Sequence, residues 1–499
     1  MRGPSHLLSL FALALQHTVA PDAVTATGHT RADTLRAPPR LVVPDSGWVT
    51  SGDGANLQIT GLRRGERVTL RARRSILVSR RVDTLSVTDT VEVESWAEFA
   101  GTASGTVDVD RTTPLRGSWT TRDALGMFWS MRRVIPVDKA ELSRNRSIVH
   151  VALLSGNTEI ARGDLRLRPS ARPLSRRVVI ADRLVGAFAA PAGVLHAPVV
   201  IALHGSEGGD TVSNKELATR FAARGYAAFA VSYVAYPWTG GLPGVPGAFD
   251  SIEVATLDRA RAWLGAQPEA DTSRTALWGV SKGGEFAMVA AARRRWPRAI
   301  IGCVPSDVMW AGFGRAPAVG EVLASWSDNG RRLPAIPYDN YDDVFAGRAT
   351  ARQVHDRSRN AHHAETTEAR IPIEDATAPL LLLGSTDDET WASGVMVRTL
   401  ALTRFRDRAH ASVESHVYAD AGHGICGTGT TPAAVYDAAE TRIAVGTAHA
   451  SADAWIRTIA FLRRVLPPAP ATASSDRPPS AGAVPDARRR RRRPSRAPH

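Results

Sequence analysis

The stretch Trp278-Gly279-Val280-Ser281-Lys282-Gly283-Gly284-Glu285 decides the fold. It reads Gly-x-Ser-x-Gly. The apolar run Thr275-Ala276-Leu277-Trp278 enters it, and the helix-forming run Phe286-Ala287-Met288-Val289-Ala290-Ala291 leaves it. Strand, sharp turn and helix are the setting of a nucleophile elbow. Gly279 and Gly283 remove Cβ atoms where strand and helix crowd each other, which leaves Ser281 on a strained turn with its Oγ exposed. The competing reading is a Gly-rich turn whose serine only caps a helix. The flanking strand and helix favour the elbow.

Working outward, the chain alternates strands and helices on both sides. Upstream, 178–180 and 184–188 read as an antiparallel opening hairpin. Residues 197–203 form a continuous apolar run, as a strand buried on both faces requires. The loop His204-Gly205-Ser206-Glu207-Gly208-Gly209 follows. A helix is expected over 212–224, a strand over 226–234 and a helix over 250–265. Downstream, strands are expected at 299–304, 378–383 and 415–418, with helices near 393–406 and 454–466. This grammar predicts an α/β fold, a mostly parallel sheet with helices on both faces, over 173–466. Residues 308–377 interrupt it with Trp310, Trp326, Tyr338 and Tyr341. A long insert above the carboxyl ends of strands reads as a cap over a substrate pocket.

A serine hydroxyl needs a general base, and the base needs an orienting carboxylate. In this architecture the order is Ser, Asp or Glu, then His. After the 380–383 run comes Gly384-Ser385-Thr386-Asp387-Asp388, and after the last strand Ala419-Asp420-Ala421-Gly422-His423-Gly424. His423 is therefore the expected base and Asp388 the expected orienter, with Asp387 its competitor and Asp420 a weaker rival. The oxyanion needs fixed donors. The backbone N–H of Lys282, at a helix start, and that of Ser206 are the expected pair. Glu285 reads more simply as a first-turn acid than as an anchor for the elbow. His355, His362 and His363 lack the His-Glu-x-x-His spacing and read as solvated; no metal and no cofactor are expected.

Before the α/β region, 41–172 carries short alternating strands, among them 56–60, 67–73, 107–110, 147–153 and 165–168, which suggest a small β-sandwich. Trp119, Phe128 and Trp129 read as core or interface aromatics. The chain has 499 residues, 43% of them apolar, room for two or three globular domains. Net charge is +13, of which +6 falls from Leu466 onward, including six consecutive arginines at 488–493. The tail 467–499 reads as disordered, with at most weak contact to an anionic surface and no specific nucleic-acid role. Residues 1–26 read as an export signal, with Arg2, an apolar 7–15 core too short to span a bilayer, and small residues before two candidate cleavage points, near Ala20 and near Ala26. Residues 27–40 read as a linker. Cys303 and Cys426 are the two cysteines. They make neither a disulfide framework nor a metal site; one bond between them and two free thiols both remain open.

With these motifs in hand, the chain resembles the acyl-CoA thioesterase / bile acid-CoA:amino acid N-acyltransferase family over roughly 41–466. The elbow with its Lys-Gly-Gly-Glu, the step Ile371-Pro372-Ile373-Glu374, the segment Gly384…Asp387-Asp388…Trp391, the Gly422-His423 loop and Asp453-Ala454-Trp455 all look like family features. So do Gly61-Leu62-Arg63-Arg64-Gly65-Glu66-Arg67-Val68-Thr69-Leu70, Gly117-Ser118-Trp119 and Gly126-Met127-Phe128-Trp129. The resemblance implies an immunoglobulin-like sandwich before an α/β-hydrolase domain, and the triad Ser281, Asp388 and His423. It implies a small acyl thioester or ester as substrate. Amide-forming members use Cys at the elbow, so Ser281 implies hydrolysis to free acid and CoA. The alternatives are an exported carboxylesterase on other esters, an acyl-CoA:amino acid N-acyltransferase, and a binding protein with a silent hydrolase domain. The 204–209 loop departs from the family, which more often has an aromatic before the first glycine. An export signal also sits uneasily with acyl-CoA, a cytosolic metabolite.

Overall fold

The computed structural model describes residues 38–468, apart from 45, 83–84, 135–145, 182 and 407–411. The expected signal segment and nearly all of the Arg-rich tail lie outside the described residues.

The N-terminal part is built of β-strands in two sheets. Arg40–Val42, Gln58–Thr60 and Val107–Asp108 form a three-stranded sheet. A seven-stranded sheet is centred on a hairpin of two 16-residue strands, Arg67–Val82 and Leu85–Ala100, beside the hairpin Ile148–Ser155/Thr158–Arg168. The sequence predicts the first of these strands only as far as Arg73. It runs on because Ile76 and Val78 keep the period of two set by Val68, Leu70 and Ala72, all buried. Arg73 pairs with Glu94 across the hairpin on the other face, while Arg74 lies on the buried face and donates to Thr430 O. Trp119, Phe128 and Trp129 are buried, and Trp129 packs on His449 of the last helix, ring centroids 4.6 Å apart.

The α/β part holds an eight-stranded sheet. In chain order its strands are β1 Leu174–Ala181, β2 Leu184–Pro191, β3 Ala197–Leu203, β4 Ala227–Val231, β5 Ala270–Val280, β6 Ala299–Cys303, β7 Leu380–Ser385 and β8 Val413–Tyr418. Their spatial order is β1-β2-β4-β3-β5-β6-β7-β8. β1 and β2 are the expected antiparallel hairpin, β2 pairs antiparallel with β4, and the remaining pairs are parallel. The parallel strands β3, β4, β6 and β7 are buried at every position, which is why they read as apolar runs. Helices Thr211–Ala222, Ala255–Gly265, Lys282–Arg293, Ser393–Arg406 and Arg442–Val465 accompany the sheet.

Two expectations are corrected. The helix expected over 250–265 begins at Ala255; Ile252–Glu253 is instead a short strand that pairs with Trp326–Asp328, and Ile252 and Val254 enter the core. The closing helix begins at Arg442, twelve residues before the expected start at 454. Thr441 caps it by accepting from the Ala444 N–H, and its first turns carry small buried residues, not a clear apolar stripe.

The two regions share one hydrophobic cluster. Arg224, buried over the Trp455 ring, pairs with Asp53 at 2.9 Å and donates to Ser51 O. The Trp455 indole N–H donates to Gly52 O at 3.0 Å. Among the described residues, no helix is long and apolar enough to cross a membrane.

Candidate active site

Ser281 stands between β5 and the helix Lys282–Arg293 at φ 55°, ψ −123°. A non-glycine residue holds such a backbone only when its surroundings over-determine it. Here they do. The Ser281 N–H donates to Cys303 O at 3.0 Å, and its carbonyl accepts from the Glu285 N–H at 2.9 Å. A Cβ on Gly279 would lie 2.0 Å from Gly283 O, and one on Gly283 would lie 2.2 Å from His204 O. Strand, turn and helix meet so closely that only glycine fits on either side of the serine.

Two further loops leave the same end of the sheet. After β7 comes Asp388, 1% exposed. Its Oδ2 lies 2.8 Å from His423 Nδ1, and its Oδ1 accepts from the N–H groups of Thr390 and Trp391 at 2.9 and 3.3 Å. Burial alone would raise the Asp388 carboxyl. The hydrogen bond and charge of His423, with bonds from Ser393 and Thr390, outweigh it and hold the carboxyl below its ordinary value. A carboxylate facing Nδ1 places the ring proton there and leaves Nε2 as an acceptor. Asp387 sits half-buried beside this pair, and Asp420 is taken up by Arg442. Of the three aspartates, Asp388 stands behind the ring. Trp391 sets its edge against that ring at 5.8 Å and is itself held by Val304 O.

Ser281 and His423 line one cavity of about 300 Å3, with Ser206 and Glu207 on its wall. The Tyr236 hydroxyl donates to Ser206 O at 2.7 Å, and Glu207 accepts from the Gly205 N–H at 2.9 Å, so this loop is held from both sides. Cys303, which ends β6, is bonded to Cys426, three residues past His423. That bond ties the histidine loop to the strand end that accepts from the Ser281 N–H.

Glu285 corrects the simpler sequence expectation. It is fully buried, and its Oε1 accepts from Lys282 Nζ at 2.8 Å, the Trp326 indole at 2.6 Å and the Trp310 N–H at 3.1 Å. Burial pushes the Glu285 carboxyl up and the Lys282 ammonium down, each against the pull of the other. The acid therefore bolts the first turn of the elbow helix to the insert. Its spacing, three residues after Lys282, was the available signal; its partners lie 25 and 41 residues away along the chain.

A larger cavity of about 810 Å3 opens from Ser281 and is walled mostly by the insert, by Phe313, Tyr338, Tyr341, Phe345 and His355, with Trp391. His355 is a second correction. It is 3% exposed instead of solvated, whereas His363 is exposed as expected. No group of metal-ligating side chains is found among the described residues.

A mostly parallel sheet with a Gly-x-Ser-x-Gly elbow at its carboxyl edge defines an α/β-hydrolase. Within that class, the chain belongs to the acyl-CoA thioester hydrolase/BAAT family: residues 53–173 match its N-terminal region and 252–468 its C-terminal region. It is 23% identical over 403 residues to acyl-coenzyme A thioesterase 3 of Mus musculus, covering 78% of this chain and 84% of that one. It is 23% identical to acyl-coenzyme A thioesterase 6 of Mus musculus (66% and 74% covered) and 22% to the mitochondrial acyl-coenzyme A thioesterase 2 of Homo sapiens (78% and 76%). Among solved structures, a putative dienelactone hydrolase from Klebsiella pneumoniae aligns at 16% identity and TM-score 0.37, over 59% of this chain and all of that one.

Proposed function

We propose that the protein is a serine hydrolase of acyl thioesters, working through Ser281, His423 and Asp388 by way of an acyl-enzyme. The observation that carries this reading is the 2.8 Å contact between buried Asp388 and His423, whose ring lines the cavity that Ser281 enters. The relatives named as acyl-coenzyme A thioesterases support the thioester. Ser281 Oγ attacks the thioester carbonyl while His423 Nε2 takes its proton. Asp388 keeps Nδ1–H in place and stabilises the imidazolium. The N–H groups of Lys282 and Ser206 receive the oxyanion. Collapse expels the thiolate, which takes the proton from His423. Water, deprotonated by the same imidazole, then releases the acid and restores Ser281.

Export of this enzyme belongs to the same proposal, and the Cys303–Cys426 bond supports it, since such bonds persist in oxidising compartments. A second reading, a carboxylesterase of neutral esters, has one observation in its favour. The two cations lining the larger cavity are already engaged, Lys282 by Glu285 and Arg315 by Asp250 and Glu321. Neither is free for the phosphates of a CoA leaving group. Wild type and Ser281→Ala, assayed against an acyl-CoA chain-length panel and matched p-nitrophenyl esters, separate the two. Turnover unchanged by the substitution would sink both.

A further inference from the structure

His355 lies on the helix Ala351–Ala361 and faces the 810 Å3 cavity that Ser281 opens into. Its Nδ1 is 2.8 Å from Ala351 O. A carbonyl only accepts, so Nδ1 carries the proton and Nε2 is a bare acceptor. Nε2 has no partner among the described residues. Four aromatic rings hold the imidazole in place: Trp310, Tyr338, Tyr341 and Trp391 stand nearly perpendicular to it, at centroid distances of 4.5, 5.4, 6.0 and 5.6 Å. The ring is 3% exposed, and burial lowers its pKa to about 4, so it stays neutral at physiological pH. Nε2 is not sealed in the interior but opens to the cavity, so an occupant that displaces water there leaves it unpaired unless the occupant itself donates to it.

We propose that this wall is a binding subsite for an acyl group carrying its own hydrogen-bond donor, a hydroxyl or an N–H, which His355 Nε2 accepts. The proposal rests on the hydrolase reading above and adds the substrate class to it. A plain alkyl chain fills the cavity but leaves Nε2 unpaired. A chain with a hydroxyl at the matching depth fills it and satisfies the acceptor. A hydroxyl at any other depth meets ring edges and is penalised.

The test is a homologous series of CoA thioesters and p-nitrophenyl esters, each ω-hydroxyacyl member paired with its unsubstituted counterpart. In the wild type, the kcat/KM ratio of hydroxylated to plain substrate is expected to peak at one chain length, at roughly tenfold, and to fall to about one or below elsewhere. His355→Phe is expected to erase the peak, and His355→Gln, whose amide oxygen can accept, to recover part of it. Should the Phe variant fail to fold, competitive inhibition of the wild type by free ω-hydroxy acids against the plain acids reads the same preference. A ratio at or below one at every length, or a peak that survives in His355→Phe, overturns the subsite. Ser281-dependent turnover of the plain substrates reports the hydrolase reading independently. Its absence with every substrate would end both.

Discussion

Around Ser281, positions are fixed by atoms that are missing; around His355, by rings that fill the space on several sides. At the elbow, two glycines let strand, turn and helix approach to distances no Cβ tolerates, and the strain at Ser281 is held by backbone bonds to Cys303 and Glu285. Across the cavity, the insert is built of short strands and helices, and His355 sits on the longest of them, Ala351–Ala361. Trp310, Tyr338, Tyr341 and Trp391 are placed by packing edge to face on one imidazole. The first construction is short-range and leaves a signature in eight consecutive residues. The second is assembled from positions up to 81 residues apart, 310 to 391, and leaves almost none. In the function proposed above, one presents the reacting atom and the other shapes what reaches it, so variants on the two sides are expected to fail in different ways.

The largest effect is expected on the elbow side. Ser281→Ala should lower kcat/KM by roughly ten-thousand-fold or more, with thermal stability retained. Asp388→Asn keeps the shape but loses the charge that orders the ring, and is expected to cost roughly a thousand- to ten-thousand-fold, mostly in kcat. Steady-state kinetics beside a melting curve check both. An Asp388→Asn enzyme with near-normal kcat would break the assignment of that contact as the working one.

Much of this was legible because the constraints are local or follow chain order. Gly-x-Ser-x-Gly names its own crowding. Asp388 follows a strand buried at every position and His423 follows the half-buried edge strand β8, each at its carboxyl end, and chain order predicts their roles. The β4 and β6 strands announce themselves as apolar runs. The long N-terminal hairpin outruns its expected end because Arg73, Arg74 and Glu94 interrupt the pattern: Arg73 and Glu94 pair with each other across the hairpin, and buried Arg74 finds its partner at Thr430 O, far along the chain. Glu285 and His355 depart from the sequence expectation for one reason. A charged or titratable side chain reads as solvated unless its partners are known, and theirs sit on the insert. Spacing alone said nothing of Trp326 or Trp310.

Glu285 joins the two constructions, so its loss tests whether they stand independently. Glu285→Ala leaves Lys282 buried without its counter-charge and is expected to destabilise the fold by about 3–5 kcal/mol. The double variant Lys282→Met/Glu285→Leu should lose less than Glu285→Ala alone, because no bare charge remains. Chemical denaturation of the three proteins decides it. A double variant as weak as the single one would mean that the hydrogen bonds from the Trp310 N–H and the Trp326 indole, not the charge pair, hold the elbow to the insert.

The disulfide is a smaller lever on the elbow side. Cys303 and Cys426 are 123 residues apart, so breaking the bond releases a long loop and is expected to cost about 5 kcal/mol at most on a chain-entropy account. Because Cys426 follows the histidine loop, Cys303→Ser/Cys426→Ser should also lower kcat, by less than tenfold if Asp388 still holds the ring. Melting with and without reductant, compared with the double variant, separates the two contributions. Unchanged stability in both would remove the bond from the account.

The smallest effect on stability is expected at the rim of the cavity. Phe345 lines it yet is 82% exposed, touching Tyr341 at a centroid distance of 5.7 Å. A ring so exposed contributes little to folding, so Phe345→Ala should change stability by no more than about 0.5 kcal/mol. Its apolar face is useful only when something apolar covers it, and a long acyl chain leaving the cavity would do so. The variant is therefore expected to lower the kcat/KM ratio of long to short acyl substrates by roughly threefold, mainly through KM, as lost uniform binding does. A fall of equal size for short and long chains would place Phe345 outside the acyl path. The insert would then shape the cavity only through its buried rings, and the division between a side that reacts and a side that selects would narrow to the surroundings of His355.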